Sequence, residues 1–115
     1  AIIKSIMDKN TLVIVSTDFT HYGNSFAYLP FSENIQENLK KLDLGAVTLL
    51  KNKDFQGFCE YINKTQATIC GRDSLKLLLQ LLDSNTEAHV LDYMASAELN
   101  QNWSHSVSYA GMVYR

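Results

Sequence analysis

Thr11-Leu12-Val13-Ile14-Val15 runs directly into Ser16-Thr17-Asp18-Phe19-Thr20-His21-Tyr22-Gly23, and the rest of the chain is arranged around that junction. The first five residues are a continuous apolar, largely β-branched run without alternation. That is the pattern of a strand covered on both faces in a parallel or mixed sheet. The next eight turn polar and end in glycine, so they sit where a strand finishes, and ligand sites of open α/β sheets lie at such strand ends. Asp18 and His21 stand three apart in this segment. Carboxylate and imidazole serve equally as ligands of a catalytic transition metal and as an acid and base pair. The plain alternative is that Asp18 caps a turn and His21 is its hydrogen-bonded neighbour.

Upstream, Ile2, Ile3, Ile6 and Met7 fall at helical spacing and predict a helix over residues 1–9, closing at Asn10. Downstream, residues 24–31 are aromatic and irregular, with the single proline at Pro30, and read as a loop over the site in which Tyr22, Phe26 and Tyr28 either line a pocket or cover a core edge. Ser32 is the expected cap of a helix carrying Ile35, Leu39 and Leu42 on one face. A second helix is expected after Asp54, with Phe55, Phe58, Cys59 and Ile62 on its packed side. A third starts near Asp73 or Ser74, and its leucines, apolar nearly all round, predict deep burial. Two strands follow, over 88–96 and 106–114, separated by a polar connection that holds Trp103, a possible interface anchor. The order predicts an α/β fold, a mixed sheet with flanking helices in one segment over residues 1–115. So few strands leave sheet edges to be paired from elsewhere.

Cys70 precedes Gly71 and Arg72 at the start of the leucine-rich helix. A thiol in that position can be a nucleophile, a redox thiol or a soft metal ligand, or simply a small buried hydrophobe. Gly71 lets the backbone approach another element closely, and Arg72 either binds an anionic ligand or pins a carboxylate such as Asp18. His89 and His105 read as ordinary sheet residues and Cys59 as core.

Composition narrows the classes of function. The 115 residues are 46% hydrophobic and 19% charged with a net charge of −2, the balance of one globular domain. Without a basic stripe, nucleic acid is not an expected partner. No apolar stretch approaches the ~20 residues needed to cross a bilayer, so no membrane is expected either. Two cysteines do not make a stapled secreted scaffold, and a reduced, cytoplasmic protein is expected. The chain begins at Ala1 without a methionine, which is expected of a segment of something longer.

Val13 to Gly23, Thr68-Ile-Cys-Gly-Arg72 and Ser106-Val-Ser-Tyr-Ala110, in this order and spacing, resemble the Memo family, relatives of the class III extradiol dioxygenases. Weaker likeness in Leu91 to Ser96 extends the resemblance over nearly the whole chain, as the carboxy-terminal half of such a protein. The family is associated with human cell-motility signalling and, in microbes, with a grouping that includes a radical-SAM protein. The resemblance implies that Asp18, His21 and Cys70 match the aspartate, histidine and cysteine of the family's central pocket, a non-heme, redox or dioxygenase-like site for iron or copper. Tyr22 and Arg72 are expected as ligand-binding neighbours from their own places in the chain, not from the resemblance. Two further histidines of that pocket belong to the family's amino-terminal half, and His89 and His105 do not match them. The resemblance therefore implies half a site, to be completed by the missing half or by another chain. The same pocket could instead grip a peptide or a small molecule or anion. After Arg72 the family usually continues with a proline-containing segment, whereas Asp73-Ser74 stand here, which leaves the entry of the third helix undetermined by the resemblance.

Overall fold

A computed structural model describes residues 2–115; Ala1, with which the expected first helix opens, lies outside them. Helix α1 spans only Ile2–Ser5 and buries no residue. With no buried face, little offsets the cost of helix nucleation, so the helix expected over 1–9 is realised among the described residues only as this single turn.

The run at 11–15 departs from its pattern too. It forms no strand, and Leu12 and Ile14 are 81% and 79% exposed. β-branched residues make a strand only when neighbours supply ladder hydrogen bonds, and among the described residues none pairs with this segment. Only Val15 packs on the core.

The sheet is built instead around β3, His105–Tyr114. On one side β2, Ala88–Ala95, pairs antiparallel in a register from Ala88↔Tyr114 to Ala95↔Ser108, with an irregularity between Val90 and Asp92. On the other, β1 is the short His21–Gly23, antiparallel with His21 opposite Val107 and Gly23 opposite His105. The expected α/β architecture is present. Its sheet, expected to be mixed, has order β1-β3-β2 and only antiparallel pairings among the described residues. Gly23 holds φ at 135°, and a Cβ there would stand 2.7 Å from the Ser104 carbonyl oxygen, so the position requires glycine.

Three helices pack in series, the first against β2 and each of the others against the one before it. Helix α2, Ile35–Lys51, starts from Asn34 rather than Ser32 and turns Leu39, Ala46, Val47 and Leu50 inward. Helix α3, Phe55–Thr65, starts where the Asp54 side chain accepts a 2.8 Å hydrogen bond from the Gly57 N–H; it buries Phe58 and Ile62, with Cys59 half-buried beside them. Helix α4 spans Arg72–Leu81 and buries Leu75, Leu79 and Leu81. It is not buried all round: Leu77 is 38% exposed. Its outer side faces an open cleft lined by Ile3, Ile6, Ile14 and Leu77, where the unpaired run gives incomplete cover.

The main core joins Phe19, Val47, Leu50, Phe58, Ile69 and Leu79. A smaller one joins Tyr22, Leu39 and Ala95, with Trp103 packed on it. Trp103 thus anchors its own chain, next to helix α5 at Ala97–Asn100. Among the described residues no helix is long and apolar enough to cross a membrane.

Candidate functional site

Two loops meet side by side, residues 16–21 leading into β1 and residues 67–72 leading into α4. The first is fixed from below. Phe19 N–H donates to the Ser108 carbonyl at 2.8 Å, and Ser108 N–H donates to the Thr20 carbonyl at 3.0 Å. Thr20 is fully buried, and both its N–H (3.1 Å) and its hydroxyl (2.6 Å) donate to Asp43 Oδ1. Tyr93 donates its hydroxyl to the other oxygen of Asp43 at 2.6 Å. A carboxyl group on the apolar face of α2 is affordable only because all its neighbours are donors. Burial first, and the adjacent Asp43 second, push the Tyr93 hydroxyl well above the ordinary tyrosine range.

The second loop docks onto the first through side chains. Gly71 N–H donates to Thr17 Oγ1 at 2.7 Å, and a Cβ on Gly71 would collide with the Thr17 side chain. The close approach expected of Gly71 is therefore present. Asp18 N–H donates to Cys70 Sγ at 3.3 Å, and Thr17 Oγ1 lies 3.5 Å from the same sulfur. Thr68 Oγ1 accepts from His21 N–H at 2.9 Å and donates to the His21 carbonyl at 2.6 Å. The Thr68 carbonyl lies 2.9 Å from His21 Nδ1.

A carbonyl oxygen can only accept, so Nδ1 carries a proton, and in the neutral form of the ring the lone pair lies on Nε2. Nε2 stands 3.8 Å from Asp18 Oδ2, the two side chains being 20% and 44% exposed. That distance is too long for a direct hydrogen bond and suits two donors sharing a cation or a water. Phe26 walls the site, its ring 5.0 Å from that of His21 and, on the other side, 5.0 Å from that of His105. His105 Nδ1 is also 3.1 Å from Ser25 Oγ.

The structure thus brings Asp18, His21 and Cys70 to one loop junction. Arg72 begins α4 next to Cys70; it is exposed and has no ion pair among the described residues, with Asp18 or any other carboxylate. Tyr22 points the other way. It is 1% exposed, stacked on Phe31 at 5.4 Å, and donates its hydroxyl to the Phe31 carbonyl at 2.6 Å. Alternation along β1 puts His21 and Tyr22 on opposite faces, so Tyr22 has no free surface for a ligand here. Tyr28, also expected near the pocket, donates to the Thr65 carbonyl at 2.8 Å.

No three His, Cys, Asp or Glu side chains among the described residues close around one point as a metal cage would. Asp18, His21 and Cys70 are donor types that could join a transition-metal shell only if further ligands completed it.

Thr17, Thr68 and Asp43 were not legible as site residues in the sequence. The one available signal for Asp43 was a carboxylate in the apolar stripe that includes Leu39, Ala46 and Leu50.

The sequence profile of the family described as Memo-like protein matches residues 1–113. The chain is 31% identical over 117 residues to the protein memo-1 homolog of Caenorhabditis elegans, covering 92% of this chain and 33% of that protein. It is 30% identical over 114 residues to a MEMO1 family protein of Thermococcus kodakarensis, covering 95% and 39%. It is 32% identical over 117 residues to protein MEMO1 of Macaca fascicularis, covering 93% and 39%. The chain therefore spans about a third to two-fifths of the length of these relatives. A match over nearly every residue, including both loops of the junction, places the chain in the Memo-like protein family.

Proposed function

We propose that Asp18, His21 and Cys70 are the carboxy-terminal share of a metal-linked redox pocket, related to those of non-heme dioxygenases and acting in the cytoplasm. The observation that carries this reading is the pair of facing acceptors: Nε2 of a ring whose Nδ1 is committed to a carbonyl, 3.8 Å from a carboxylate oxygen. Such a pair repels unless a proton, a water or a cation lies between, and a metal-bound histidine characteristically spends its other nitrogen on a carbonyl in this way. The exposed Cys70 sulfur, accepting from Asp18 N–H, adds a soft donor suited to iron or copper. A redox-active ion held there would supply one-electron chemistry with oxygen or an organic substrate. The residues of this chain orient it: Thr68 and Asp43 fix His21 and its neighbour, and Phe26 limits access of water from one side.

The remaining ligands come from the part of the longer family proteins that this chain does not span. The groove between residues 11–15 and the part of β3 beyond its pairing with β1 supports this. It has a volume of about 470 Å³ and is lined by Leu12, Ile14, Ala110, Met112 and other apolar side chains, room of the kind an added strand fills. Elemental analysis of the full-length protein tests the proposal. Stoichiometric iron or copper is expected, with most of it lost in both His21→Ala and Cys70→Ser. Unchanged metal in both variants would remove these residues from the site.

A second reading, a non-catalytic module for a peptide or small anion, is favoured by Arg72, which stands exposed beside Cys70 with no ion pair among the described residues. Phosphate or peptide binding that survives chelation and is lost in Arg72→Ala would support it. Metal-dependent oxygen consumption would count against it.

A further inference from the structure

We propose that Thr68 is a positioning residue that sets the tautomer and the aim of His21. The inference rests on the reading of His21 as a ligand-bearing group, but its evidence is separate. One residue, 47 positions away in sequence, makes three hydrogen bonds to His21: hydroxyl from N–H at 2.9 Å, hydroxyl to C=O at 2.6 Å, and carbonyl with Nδ1 at 2.9 Å. The first two replace the ladder bonds that a neighbouring strand would supply and bring the backbone at 68 level with that at 21. Only in that register does the Thr68 carbonyl reach the ring.

The consequence for the site follows from donor and acceptor chemistry. In water, the neutral imidazole of histidine exchanges freely between its two tautomers, and a carbonyl fixed at Nδ1 selects the one with the proton there. Nε2 then keeps its lone pair, on the side where Asp18 stands. Phe26 packs edge-on to the ring, at 5.0 Å and 76°, and adds an aromatic contact to this orientation. His21 is thereby preset before any ligand arrives, and preorganisation of this kind is what outer hydrogen bonds contribute to metal sites.

The test is long-range proton–nitrogen NMR of the full-length, metal-free protein labelled with ¹⁵N-histidine, with His21 assigned by loss of its signal in His21→Gln. The wild-type protein and Thr68→Ser, which keeps the hydroxyl, are expected to show the neutral ring protonated at Nδ1. Thr68→Val, which keeps the shape and loses the hydroxyl, is expected to show the exchanging mixture typical of a free imidazole. In the same proteins, the affinity for added iron or copper is expected to fall by roughly 10- to 100-fold in Thr68→Val and to recover in Thr68→Ser. A wild-type ring protonated at Nε2 overturns the proposal even if Thr68→Val does not fold, and so does an unchanged tautomer in a folded Thr68→Val. Because the tautomer is read without metal, a protein that binds no metal yet shows the expected ring state sinks the metal reading and leaves Thr68 in its role.

Discussion

At Gly71 the two loops pack too tightly for a side chain, and any Cβ there must displace Thr17. Gly71→Ala is expected to cost about 1–3 kcal/mol, the usual cost of overpacking a tight contact, and to part Cys70 from Asp18. Urea denaturation reads the first effect. The second is read by backbone amide NMR, where the Asp18 N–H should lose the shift that its bond to sulfur imposes. At this scale the chemistry-bearing residues were legible: an acid, an imidazole and a thiol stand out by type, and their places after an apolar run and before a helix pointed to one junction. What holds them was not legible, because Thr17 and Thr68 act through bonds to backbone atoms some fifty residues away. Tyr22 misled because a three-residue strand sends neighbours to opposite faces, and nothing in its local sequence says that His21 takes the outer one.

Helix α2 reaches the site through one buried side chain. Asp43 accepts from Thr20 N–H, Thr20 hydroxyl and Tyr93 hydroxyl, so Asp43→Ala strands the two Thr20 donors in the interior and leaves the Tyr93 hydroxyl only Ser108 Oγ, at 3.2 Å. The expected loss is about 2–4 kcal/mol, larger than for Asp43→Asn, which keeps one acceptor oxygen; the midpoints of chemical denaturation order the two variants. Helices α2 and α3 could be read from periodicity because each buries one face against elements within the described chain, whereas α4, β2 and β3 were legible from their apolar content alone. The run at 11–15 could not, since a strand exists only with its neighbours, and its β-branched residues fit a ladder that the described residues do not provide. The short α1 and the exposed side of α4 border the same gap, so these departures share one cause.

At the scale of the whole molecule, the half-buried tyrosines contribute to stability at alkaline pH. Burial pushes Tyr28 and Tyr114 from 10.0 up to about 12, and Tyr93 moves in the same direction. A group whose folded pKa is raised stabilises the fold fully below its unfolded value, and that stability is lost as pH rises through the folded value. The midpoint of urea denaturation is therefore expected to hold steady up to pH 10 as far as these groups are concerned, then to fall between about pH 10 and 12. In Tyr114→Phe, where the hydroxyl that donates to the Leu50 carbonyl at 2.6 Å is gone, the alkaline fall should be shallower.

That the sulfur of Cys70 and the ring of His21 serve one bound ion is the claim on which the functional account turns. Its most direct measurement is the absorption spectrum of the full-length protein loaded with cobalt(II). The account predicts a thiolate-to-metal charge-transfer band in the wild type, absent in Cys70→Ser and displaced or weakened in His21→Ala. A cobalt complex whose spectrum contains no such band, or keeps it in Cys70→Ser, would contradict the account.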